Sequence, residues 1–147
     1  MIIEQSEQVI KEIRKVFIGK DEIIEKVLMA IYAGGHILLE DAPGVGKTTL
    51  ALGFSHALDL SYKRVQFTPD TMPSDITGFS VFNKEQGTLD YKPGAADCNL
   101  LLGDEINRTS PKTQAALLEA MEEGSVTVDG VTHMLPKPFI CIATQNH

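Results

Sequence analysis

Three short, almost wholly apolar runs punctuate this chain: residues 36–40 (HILLE), 99–102 (NLLL) and 139–143 (FICIA). Runs of four or five such residues between turn formers are the pattern of strands covered on both faces. Tyr62 to Thr68 alternates polar and apolar positions, which predicts a further strand. Helical spacing appears elsewhere. Val9, Ile10, Ile13, Val16 and Phe17 fall on one face of an expected helix over residues 2–16. After Gly19, Ile24, Val27, Leu28 and Ile31 do the same for a helix over Asp21 to Ala33, closed by Gly34 and Gly35. A third helix is expected from Lys47 to about Leu58. A fourth, with Ser110 as N-cap and Pro111 in its first turn, should run to Glu123 and stop at Gly124.

Two hairpins stand apart from this plan. Residues 79–82 and 88–91 form the expected arms around Asn83–Gly87, and residues 126–128 and 131–132 flank Asp129-Gly130, a strong two-residue turn signal. Pro69 to Gly78, with two prolines and two aspartates, reads as loop with one helical turn. Buried strands alternating with helices predict an α/β fold: a mainly parallel sheet with helices on both faces, carrying two hairpin inserts.

Composition narrows the function classes. The 147 residues are 43% hydrophobic and 22% charged, ordinary for one globular domain. No run approaches the roughly 18 apolar residues of a membrane span, and residues 1–11 lack the apolar core of a secretory signal, so a cytoplasmic protein is the expectation. A net charge of −7 with dispersed basic residues argues against gripping nucleic-acid backbone as the main work. Cys98 and Cys141 lack ligand-like neighbours at metal spacing and read as small buried hydrophobes rather than a disulfide or a reactive thiol.

The chemistry concentrates in three places. Gly44-Val45-Gly46-Lys47-Thr48-Thr49 lies between an expected strand and an expected helix. Glycines let backbone N–H groups wrap closely around polyphosphate oxygens, and the following helix adds its positive N-terminal end. Lys47 supplies a cation for the outer phosphates, the Thr48 hydroxyl can ligate magnesium, and Thr49 helps start the helix. The pattern departs from the usual phosphate loop at one point: Asp41 stands where the first glycine is expected. Secondly, residues 100–105 (LLLGDE) place Asp104 at the C-terminal tip of a buried strand, where ligands of parallel sheets bind. Asp104 would hold magnesium, directly or through its waters, and Glu105 would orient and deprotonate an attacking water. Thirdly, Thr144 and Asn146 end the last strand beside the carboxylates, positioned either to contact a terminal phosphate and the attacking water or simply to cap a strand end.

Taken together these segments resemble the MoxR family of AAA+ ATPases over nearly the whole chain. The resemblance rests on residues 35–48 (GHILLEDAPGVGKT), 65–70 (VQFTPD), 73–78 (PSDITG), 104–108 (DEINR), 112–114 (KTQ), 116–123 (ALLEAMEE) and 143–146 (ATQN). It implies a three-layer P-loop fold binding ATP and Mg2+, with Walker A contacts from Pro43, Gly44, Val45, Gly46, Lys47, Thr48 and Thr49. It further implies Walker B at Asp104 and Glu105, sensor 1 at Asn146, and catalytic roles for Lys47, Glu105 and Asn146. Ile18 and Gly19 match the segment that lies against adenine. The two hairpins are similar to inserts that line a ring and touch the client, although a plain surface hairpin fits equally. Arg108 could serve a subunit interface or pair with a nearby acid. Family members are hexameric, chaperone-like ATPases that act on protein clients, often with a von Willebrand factor A domain partner.

His147 stands where the family usually has proline, one residue past Asn146. The resemblance implies a continuation carrying a fifth strand, an arginine finger and a helical lid. The expectation is therefore one AAA+ core over residues 1–147, incomplete at the C-terminus. An arginine finger contributes about 10³–10⁵ in rate, so turnover by this chain alone should be slow. Two other readings remain open: a magnesium-chelatase-type ATPase subunit, and a nucleotide-binding interaction module with little turnover, for which Glu105 has no evident use.

Overall fold

The computed structural model describes residues 21–40 and 44–145. The expected helix over residues 2–16, the Phe17–Gly19 segment, Asp41, Pro43, Asn146 and His147 lie outside them. In chain order the elements are α1 (Asp21–Ala33), β1 (Ile37–Glu40), α2 (Gly44–Ala57), β2 (Tyr62–Gln66), α3 (Pro73–Thr77), β3 (Phe79–Asn83) and β4 (Thr88–Lys92). They continue with β5 (Leu100–Asp104), a 3₁₀ turn (Ile106–Arg108), α4 (Pro111–Glu123), β6 (Ser125–Val128), β7 (Val131–Met134) and β8 (Ile140–Gln145).

Four strands form one parallel sheet in the order β1-β8-β5-β2. The apolar runs end up at its centre because neighbouring strands and both faces exclude water from them: every residue of β5 is buried. Side chains alternate between faces. Leu100, Leu102, Ile140 and Ile142 pack against Leu50, Ala51 and Phe54 of α2 and Ile24, Val27, Leu28 and Ile31 of α1. Leu101, Cys141 and Ala143 point the other way, to Leu117 and Ala120 of α4, Phe67, Ile76 and Val126. The result is three layers, helix on sheet on helix. Each large aliphatic side chain so buried contributes about 1.5–3 kcal/mol.

The expectation that β1 is covered on both faces requires correction. Among the described strands β1 lies at the sheet edge, and Leu38 is 50% exposed. Ile37 and Leu39 pack toward the α1/α2 core, while Leu38 borders an apolar trough of about 250 Å³ with Phe67, Leu117, Leu118 and Met121. An apolar run reports that a segment can be buried; its place in the sheet decides how far it is.

Both hairpins form separate two-stranded ribbons, β3-β4 and β6-β7. Asp129 (φ 50°) and Gly130 (φ 75°) both take the left-handed region that a tight two-residue turn demands. The ribbons meet where Tyr91 of β4 stacks on His133 of β7, centroids 3.6 Å apart and planes within 7°. Helix α4 begins as its residues dictate: Ser110 Oγ accepts the Thr113 N–H at 3.3 Å, Pro111 opens the first turn and Gly124 caps the end.

His36 joins two layers. Its Nδ1 accepts the Cys141 N–H at 3.0 Å, which leaves Nε2 to donate to the Met121 carbonyl at 2.7 Å. The two partners together fix the neutral ring with its proton on Nε2.

Candidate functional site

Register places the chemistry at one edge of the sheet. Because β1, β8, β5 and β2 are parallel, their C-terminal ends coincide: Glu40 pairs with Gln145, Gly103 with Ala143, and Gln66 with Asp104. The α2 helix starts at Gly44, four residues beyond the end of β1, at the same edge. The glycine-rich segment is therefore not a loop preceding a helix that starts at Lys47. Gly44, Val45 and Gly46 form the first turn itself, where N–H groups have no partner within the helix and are available to an anion.

Lys47 is only 4% exposed, and among the described residues no hydrogen bond or ion pair engages it. A long cationic side chain whose stem is buried in this way keeps its charged tip for water or for an arriving anion. Thr48 follows it, half-buried, and Thr49 has an interaction of its own.

Asp104 ends β5 on the face that carries Leu100 and Leu102, the face covered by α2. It is 6% exposed, yet both carboxylate oxygens have donors. The Thr144 hydroxyl donates to Oδ1 at 3.2 Å. Arg64 donates to Oδ2 from Nε at 2.7 Å, and its Nη2 lies 2.6 Å from the same oxygen. Arg64 can do so because β2 neighbours β5: Gln66 pairs with Asp104, and Arg64, two residues earlier, shares its face. The Tyr62 phenol lies on this face too. Burial pushes its pKa up, Arg64 draws it down, and Asp104 raises it.

Glu105 adopts left-handed backbone angles (φ 56°, ψ 53°), which turn the chain abruptly from strand into the 3₁₀ turn. Such a conformation costs a non-glycine residue on the order of 1–3 kcal/mol and persists only when neighbours hold it. Here the Glu105 N–H donates to Thr144 Oγ1 at 3.0 Å. Thr144, 1% exposed, thus ties Glu105 to Asp104 through a single hydroxyl. The Glu105 side chain meets Arg108, whose Nη1 donates to Oε2 at 2.9 Å. Arg108 thus pairs with a nearby acid, one of the two roles expected for it.

Lys47, Thr48, Thr49, Asp104 and Glu105 are thus gathered at one edge. Ile18, Gly19, Pro43 and Asn146 fall outside the described residues, and for Gly44 and Val45 only the backbone helix is described. The residues present fit a magnesium–polyphosphate group: a buried cation without a partner, a hydroxyl and a carboxylate oxygen. Magnesium takes one or two carboxylates and fills its other positions with water and phosphate oxygens. Arg64 escaped the sequence reading. The signal was there, a basic residue two positions before the end of a strand, but it acquires meaning only once β2 is known to lie beside β5.

Comparison with known proteins bears on the family and the fold. The model of the ATPase family associated with various cellular activities (AAA) matches residues 36–147. The uncharacterized protein YeaC of Bacillus subtilis (strain 168) is 53% identical over 137 residues, covering 93% of this chain and 43% of that protein. The chaperone MoxR1 of Mycobacterium tuberculosis is 40% identical over 140 residues, 95% of this chain and 37% of its own length. A crystal structure of a protein from Cytophaga hutchinsonii, assigned as an ATPase, superposes with a TM-score of 0.86 at 41% identity, covering 99% of this chain and 44% of that one. The chain therefore spans less than half the length of these relatives. With the P-loop fold, the sheet-edge site and these relatives together, the chain belongs to the AAA family of ATPases, in its MoxR branch.

Proposed function

We propose that this chain is the nucleotide-binding core of an ATPase that binds ATP with magnesium, hydrolyses it, and uses the cycle for chaperone-like remodelling or activation of protein clients. The observation that carries the reading is the buried Lys47 without a described partner, on a helix starting at the sheet edge where Asp104 and Glu105 emerge. Lys47 and the N–H groups of the first α2 turn bind the outer phosphates. Thr48 and Asp104 hold the metal, which supplies charge neutralisation on the phosphate oxygens when bound. Glu105 orients an attacking water and accepts its proton. Thr144 and Arg108 keep Glu105 in place, the one through its amide and the other through its carboxylate. Asn146 lies outside the described residues, and a contact with the terminal phosphate is assigned to it from the family resemblance alone.

The chaperone-like role draws on the name of the MoxR1 relative. A hexameric ring and a von Willebrand factor A domain partner follow from the family resemblance and belong to the whole protein. So does cytoplasmic location; no described helix is long and apolar enough to cross a membrane. The test is single-turnover release of ADP from Mg·ATP by the chain and by Glu105→Gln. Removing a general base should slow turnover by about 10²–10⁴-fold while bound ATP is retained. Equal turnover by both forms would remove Glu105 from the chemistry.

A further inference from the structure

Asp104 is the most solvent-excluded carboxylate at the site, and one of its oxygens is held by a group that the ATPase reading does not use. Arg64 places both Nε and Nη2 on Oδ2, at 2.7 and 2.6 Å. The two partners differ in their surroundings: the Asp104 side chain is 9% exposed and the Arg64 side chain 49%. A buried carboxylate needs a cation or several donors to remain charged. A half-exposed arginine can supply that charge and can also withdraw into water at small cost, because an exposed guanidinium keeps most of its hydration. Thr144 has no such freedom. At 1% exposure, and bonded to the Glu105 amide as well, it is fixed against Oδ1.

We propose that Arg64 is a positioning residue that acts as a place-holding cation: it pairs with Asp104 Oδ2 while no metal is bound and yields that oxygen to the divalent cation. This rests on the reading of Asp104 as a metal-binding carboxylate. Two consequences follow from charge alone. The ligand-free protein avoids an uncompensated buried carboxylate at the tip of β5, and metal binding must displace a competitor. Metal affinity is therefore lower than the bare carboxylate would give, and a metal-free site stays closed to adventitious cations.

The experiment is a Mn2+ titration with ADP present, followed by electron paramagnetic resonance of free Mn2+, on the wild-type chain, Arg64→Gln, Asp104→Asn and the double variant. Arg64→Gln should bind Mn2+ roughly two- to fivefold more tightly, the scale of losing a half-exposed ion pair as competitor, and Asp104→Asn should abolish the gain. A merely structural role predicts the opposite sign, since a disturbed strand edge weakens binding. Equal or weaker binding by Arg64→Gln would overturn the proposal. A wild-type measurement stands beside it in case the variant folds poorly. The Arg64 Nε–Hε resonance, identified by its loss in Arg64→Lys, should move toward the position of a solvated arginine on adding Mg2+ with ATP-γ-S. A resonance unmoved at saturation would also overturn the place-holding role. The failure of the nucleotide-site reading looks different: then neither Mn2+ nor ATP-γ-S binding depends on Asp104 or Lys47 in any background.

Discussion

The Thr144 hydroxyl donates to Asp104 Oδ1 at 3.2 Å across two adjacent parallel strands. Thr144 Oγ1 itself accepts the Glu105 N–H, so one buried threonine sets both the carboxylate at the strand tip and the left-handed turn that follows it. Thr144→Val preserves shape and removes both bonds. It should destabilise the fold by about 1–3 kcal/mol, the cost of leaving a buried amide unsatisfied, whereas Thr144→Ser should stay near wild type. Urea unfolding midpoints of the three forms give the comparison; equal midpoints for Val and Ser would mean that the hydroxyl holds nothing in place.

His36 makes an analogous link farther from the site. Its two nitrogens serve the Cys141 N–H and the Met121 carbonyl, joining β8 to α4. His36→Phe keeps a ring of similar size but leaves the Cys141 amide without its acceptor, at a residue that is 0% exposed. A loss of about 1–3 kcal/mol is expected, together with faster hydrogen exchange at the Cys141 amide. Unchanged exchange there would show that the ring contributes packing alone.

Gly103 sits in the otherwise large-residue run of β5 for a steric reason. A Cβ at this position would lie 2.9 Å from Phe67 Cε2, and Phe67 is 0% exposed and cannot swing aside. Gly103→Ala should therefore cost about 1–3 kcal/mol through overpacking. In a double-mutant cycle, Phe67→Leu should be less harmful in the Gly103→Ala background than in wild type. Strict additivity would contradict the contact.

Burial pushes the Cys98 thiol up to about 11 and the Cys141 thiol up to about 12, from an ordinary 9.0. Both remain protonated in the folded chain at pH values where the unfolded chain ionises them. Between pH 9 and 11 the native state thus binds more protons, and stability falls as pH rises. Tyr62 and Tyr91, also raised by burial, add to the fall in the same direction. A Cys98→Ala, Cys141→Ala double variant should lose part of this alkaline slope, measured as unfolding midpoint against pH. The native thiols should also react slowly with a disulfide reagent at about pH 8.

Much of this molecule was legible from local pattern. The turn residues Asp129-Gly130, the Ser110-Pro111 helix start and the run from Leu100 to Asp104 each act over a few residues, and each element formed where the local chemistry put it. What escaped depends on sheet order. Nothing near Arg64 announces that its partner lies forty positions on; the pair exists because β2 and β5 are neighbours. The half-exposure of Leu38 is likewise a property of the sheet edge, not of an apolar run. The first turn of α2 escaped for a different reason: glycine lowers helix propensity, while docking of Leu50, Ala51 and Phe54 on the sheet stabilises a helix that extends back to Gly44.

The central claim is that Lys47 and the start of α2 form a phosphate site. Its most direct test is isothermal titration of ATP-γ-S with Mg2+ into the wild-type chain and into Lys47→Ala. Saturable binding at millimolar concentration or below, lost in the variant, is the predicted result. Binding of equal strength by both forms, or by neither, would contradict it.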